Sequence, residues 1–75
     1  MTTRNEVIDA IKMILSDEAR YKTSLNYAVN YCKVALNQEG EDLRVQCMYI
    51  LVNITAWRHP KASAVRSILK AYVRE

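Results

Sequence analysis

The sequence predicts an all-α fold: a small, compact bundle of about four short helices forming a single domain over residues 1–75. Three observations predict it. Apolar residues recur three and four positions apart along most of the chain, the spacing of a helix face. Gly and Pro occur once each, too few for a turn-rich β fold or a disordered chain. Residues of apolar type make up 51% of the sequence, enough for a core. A chain this short still buries only about 60% of its unfolded surface, so its stability is marginal and association with another chain is one way to raise it.

The first helix is expected over about residues 4–16. Thr3 and Glu6 form a capping box, in which the hydroxyl takes a backbone N–H and the carboxylate reaches back. Val7, Ile8, Ile11, Ile14 and Leu15 follow at helical spacing. Residues 16–23 contain two competing helix starts, at Ser16-Asp17-Glu18 and at Thr23-Ser24.

A second helix is expected over about 23–37, with Leu25, Ala28, Cys32, Ala35 and Leu36 as its core stripe and Tyr27, Tyr31 and Val34 beside it. Gly40 closes it, where a positive φ is wanted. Glu41 and Asp42 then suit the positive end of a third helix, which explains the Glu39, Glu41, Asp42 cluster without any chemistry.

The third helix is expected over about 41–57. Leu43, Cys47, Ile50, Leu51 and Ile54 fill one sector; Val45, Met48, Val52 and Ala56 fill another, nearly opposite. A helix apolar on two sides is central to its fold or lies in an interface. Pro60, whose fixed φ and missing N–H suit a first turn, places the fourth helix at about 60–74. There Ala64 or Val65, Ile68, Leu69 and Tyr72 face inward, and Arg66, Lys70 and Arg74 face out.

Charge is unevenly spread. Residues 1–57 hold six Lys/Arg and seven Asp/Glu, net −1, whereas residues 58–75 hold five Lys/Arg and one Glu, net +4. The longest apolar run, Cys47 to Trp57, is too short to span a bilayer. Val7 to Leu15 is broken by Asp9 and Lys12, so it is no signal segment. Cys32 and Cys47 lie on apolar stripes, as buried thiols of a reducing compartment do. A cytoplasmic protein is expected. The Asn53-Ile54-Thr55 sequon falls in a helix and is read as chance.

Catalysis is poorly supported, and neither a cofactor nor a metal is expected. His59 is the only His, and the chain has no HxxxH, no CxxC and no Gly-rich phosphate loop. Pairing Cys32 with His59 as nucleophile and base is disfavoured, because an apolar setting raises a thiol pKa. A helix-turn-helix reader is also disfavoured, since the third helix lacks a polar outward face for base edges.

Three candidate surfaces remain. Gln46, Tyr49, Asn53, Trp57 and Arg58 combine aromatic and amide groups, as contact surfaces do. Tyr27, Tyr31, Val45, Met48 and Val52 are candidates for self-association. Lys61, Arg66, Lys70 and Arg74, with Arg58, Ser63 and Ser67, are candidate phosphate contacts. The leading expectation is a small non-catalytic protein-interaction module that pairs with itself or with another protein. The alternative is a nucleic-acid-associated protein using its basic C-terminal helix. No membrane partner is expected.

Leu43, Arg44, Val45, Gln46, Tyr49, Ile50, Leu51, Asn53, Ile54, Trp57, Arg58, Ala62, Val65 and Arg66 fit the pattern L-[RK]-V-Q-x-x-Y-I-L-x-N-[IL]-x-x-W-R-x-x-x-A-x-x-V-[RK]. In this, over residues 25–73, the chain resembles a group of small phage, prophage and bacterial proteins without an assigned activity. That group more often has Gly after the Trp-Arg pair, where this chain has His59-Pro60, so this turn is expected to differ in detail. The resemblance implies a small intracellular protein of phage type and transfers no catalytic or binding residue. Inhibition of a host protein is a third possibility that it raises.

Overall fold

In a computed structural model covering all 75 residues, the chain is all-α, with helices α1 (Arg4–Leu15), α2 (Ala28–Ala35), α3 (Gly40–Val52) and α4 (Ala62–Arg74) and a single 3-10 turn at Glu18–Arg20. The helices close into a ring: α1 packs on α2, α2 on α3, α3 on α4, and α4 back on α1. The core between them holds 18 buried residues, all of them apolar. Ile11, Ile14, Leu25, Leu43, Ile50, Ile54, Trp57 and Leu69 are its largest fully buried members.

α1 starts as the sequence predicts. The Glu6 N–H donates to Thr3 Oγ1 at 3.2 Å, and the Thr3 N–H donates to Glu6 Oε1 at 3.2 Å. Each satisfies a donor that the first helical turn would otherwise leave free.

α2 begins at Ala28, five residues later than expected. The Thr23 hydroxyl donates back to the Arg20 carbonyl at 3.4 Å, so it does not cap a following turn. The Leu25 N–H also reaches back to Arg20 O, at 3.0 Å, which keeps the segment in turns. Leu25 is fully buried all the same, so the core stripe of Leu25, Ala28, Cys32 and Ala35 stands although the helix is short.

α3 ends at Val52, not at Trp57. Asn53 leaves helical geometry at φ −106° and ψ 5°, and its side-chain amide donates to the Tyr49 carbonyl at 2.8 Å. An Asn side chain that takes a nearby backbone group competes with continuation of the helix. The residues around it, Val52, Ile54 and Thr55, are β-branched, which lowers their helix propensity. The connection that follows still buries Ile54 and Trp57.

α4 begins at Ala62, two residues after Pro60. The Lys61 N–H donates to His59 Nδ1 at 3.0 Å and the Ala62 N–H to His59 O at 2.9 Å. His59 therefore forms the turn and Pro60 sits within it rather than in the helix. Ala62, Val65 and Leu69 face the core, Ile68 and Tyr72 pack at its edge, and Ala64 is exposed.

Gly40 has φ +59°, the one positive φ in the chain. It opens α3 instead of closing α2, but the conformational need is the one the sequence predicts. A Cβ at this position would meet nothing within 4 Å, so the cost of adding one is purely backbone strain. Gly40→Ala should lower stability by about 1–2 kcal/mol, and Gly40→Asn by less, as measured by urea denaturation.

Candidate interaction surface

The outer sides of α2 and α3 form one apolar face. Tyr27 and Val52 are the most open, at 73% and 69% exposed, and Tyr31, Val34, Met48 and Tyr49 are each exposed by 36–46%. The Tyr31 and Tyr49 rings lie 5.2 Å apart at 39°, in the range of a favourable aromatic pair, and join the two helices into a single surface. Val45 lies half-buried on the same seam of α3, four residues before Tyr49 and seven before Val52. No Asp, Glu, Lys or Arg occurs between Val45 and Trp57.

At about 150–250 Å² for a whole aromatic side chain, and less for Val and Met, the exposed fractions of these six residues amount to about 500 Å². The largest apolar patch on a typical monomer is about 300–600 Å², and patches of that size are often functional.

The self-association residues Tyr27, Tyr31, Met48 and Val52 all lie on this face. Two others belong to it. Val34 follows Tyr27 and Tyr31 at helical spacing, which is its signal in the sequence. Tyr49, which spacing places with Gln46 and Asn53, joins this face through Tyr31.

That stripe, Gln46 to Arg58, is not one surface. Trp57 is fully buried, and its indole N–H donates to Asp17 Oδ2 at 2.9 Å. Asn53 is turned onto its own helix, and Gln46 is half-buried with Oε1 enclosed and unpartnered. Only Tyr49 and Arg58 are exposed, and Arg58 lies on the connection to α4. A helix carried through Trp57 would have aligned these residues; its end at Val52 separates them.

The basic stripe also changes. Lys61, Lys70 and Arg74 are exposed. Arg66 instead donates through Nη2 to the carbonyls of Ile54, at 2.7 Å, and Trp57, at 2.8 Å. It is a structural tie rather than a free phosphate contact. Its neighbours along the stripe are left without the cation that joined them.

Cys32 and His59 do not form a pair. Cys32 is buried in the core, whereas His59 stacks on Trp57 at 5.3 Å and accepts from the Lys61 N–H. Burial, with a smaller contribution from Cys47, pushes the Cys32 thiol up to about 12, and burial pushes Cys47 up to about 11. Neither is an activated nucleophile. No group of three or more His, Cys, Asp or Glu is placed to hold a metal ion. No helix is long and apolar enough to cross a membrane.

Compared with known proteins, the chain matches no family, no curated protein and no solved structure.

Two predictions follow from these contacts. Arg66→Met should cost about 1.5–3 kcal/mol, the range for hydrogen bonds made by a charged donor, and should destabilise the connection before α4, seen as faster amide exchange at residues 54–62. The second concerns pH. Both thiols have folded pKa values above the ordinary 9.0, so the unfolded chain loses protons first as pH rises. Their contribution to stability is complete below pH 9 and falls as pH rises from 9 towards 11 and 12. Urea denaturation across that range should show a shallower decline in Cys32→Ala/Cys47→Ala than in the parent chain.

Proposed function

We propose that this chain is a small, non-catalytic protein-interaction module whose working surface is the outer face of α2 and α3. The observation that carries the reading is the apolar face built around the Tyr31–Tyr49 pair, which has no charge from Val45 to Trp57 and only Lys33 on α2. Six large side chains kept open to water on a 75-residue chain raise its tendency to associate. Protein interfaces use the same residue types, with Tyr and Met enriched and charge depleted at their centres. Two buried free thiols suit a cytoplasmic setting.

Nucleic-acid binding has less support. Such contacts need cations free to meet successive phosphates. The fourth helix keeps Lys70 and Arg74 in adjacent turns, but Arg66 is committed to backbone carbonyls.

A photo-crosslinking amino acid tests the module reading directly. Placed at Tyr49 or Val52 and irradiated in cells, it should give discrete adducts; placed at Lys12 or Lys70, it should give none. Absence of adducts from the α2–α3 positions would end this reading.

A further inference from the structure

We propose that the occupant of the α2–α3 face is a second copy of this chain, the two copies meeting face to face across a two-fold axis near Tyr31, Met48 and Tyr49. This rests on the module reading above and names its partner.

The first argument comes from α3. Its inner seam, Leu43, Cys47, Ile50 and Ile54, is fully buried inside the bundle. Its outer seam, Val45, Met48, Tyr49 and Val52, repeats at the same helical spacing on the other side. A surface helix normally sets one apolar stripe against a charged face. α4 does this, with Lys70 and Arg74 outside and Val65 and Leu69 inside. α3 has no charged face beyond its first turn and Arg44, as expected of a helix covered on both sides.

The second argument is charge. The chain carries +3, so two copies repel unless their cations are kept away from the contact. Residues 45–57 carry none. On α2 the one charge is Lys33, which is exposed, so a partner selected by opposite charge would find a single cation there to pair with. A two-fold interface must instead complement itself. Tyrosine hydroxyls and the exposed amide of Asn30, beside Tyr27 and Val34 on α2, both donate and accept hydrogen bonds, so each can pair with its own kind.

The third argument is area. Two faces of about 500 Å² each give about 1,000 Å² in total, the area at which specific interfaces begin. Pairing also stacks two two-helix layers into a two-layer, four-helix arrangement packed as bundles pack.

Sedimentation equilibrium on the purified chain tests this. A dimer is expected at micromolar concentration, and it should persist in high salt because no ion pair holds it. Met48→Glu and Met48→Lys should each weaken the dimer by on the order of 30-fold or more, the effect of losing a central interface residue. Their helical circular dichroism should be unchanged. A mixture of the two should recover a one-to-one heterodimer, because a residue beside a two-fold axis faces its own counterpart. If either Met48 variant fails to fold, Val52→Lys serves as the second disrupting variant. A chain that stays monomeric from micromolar to millimolar concentration overturns the proposal, as does a dimer indifferent to Met48 and Val52 substitution. Monomers in solution combined with crosslinked adducts of another mass in cells would remove the second copy as occupant and leave the module reading in place. Absence of any adduct would remove both.

Discussion

The fold depends on how its helix ends are satisfied. An α-helix leaves its last carbonyls without partners within the helix. Helices of eight to 13 residues give much of their length to such ends. Here each end, or the turn that follows it, receives a side-chain donor from another part of the chain. Arg4 of α1 donates to Leu36 and Gln38 after α2; Arg44 of α3 donates to Val73 of α4; Arg66 of α4 donates to Ile54 and Trp57 after α3. At the end of α1 the Tyr21 hydroxyl donates to the Leu15 carbonyl. Positive charge beside carbonyl-rich ends is also favourable to the helix dipoles. An apolar core of 18 residues drives collapse without direction, whereas these bonds have direction. They select which helix end lies beside which neighbour, and so fix the ring in which the α2–α3 face points outward.

Some of this was legible in the sequence and some was not, for identifiable reasons. Local signals read well. The Thr3–Glu6 box, the core stripes of α1 to α3 and the positive φ at Gly40 all depend on residues within a few positions of one another. Helix ends read less well, because Thr23 and Asn53 spend their side chains on preceding carbonyls where a pattern of apolar residues predicts continued helix. Long-range polar partners could not be read at all. Nothing near Trp57 in sequence announces Asp17, and nothing near Arg66 announces a carbonyl 12 residues earlier. Spacing alone therefore places Trp57 on an exposed stripe and Arg66 among free cations, whereas Trp57 is buried and Arg66 is half-buried and bound to carbonyls. The apolar face was legible as spacing, but its unity depends on Tyr31 meeting Tyr49 across two helices.

The division of labour among the arginines bears on function. A count of Lys and Arg describes the C-terminal part as a basic tail, yet one of its cations is bound into the fold. Of the cations that remain outside, Lys70 and Arg74 lie on α4 and Arg58 and Lys61 on the connection before it, whereas the apolar surface lies on α2 and α3, with Lys33 the one charge of α2. These are separate regions of one small molecule, so each can be altered without disturbing the other.

The chain also comes close to being a circle. The Thr2 N–H donates to both carboxylate oxygens of Glu75, each at 2.9 Å, which brings residues 73 positions apart into contact at the start of α1 and the end of α4. A short peptide joining the ends would therefore follow a path the native state already takes, and it would remove freedom mainly from the unfolded chain. New termini would fit the connection between α3 and α4, at exposed Thr55 or Ala56, which lie outside every helix. The order of the helices along the chain could thus be changed while their neighbours in space stayed the same.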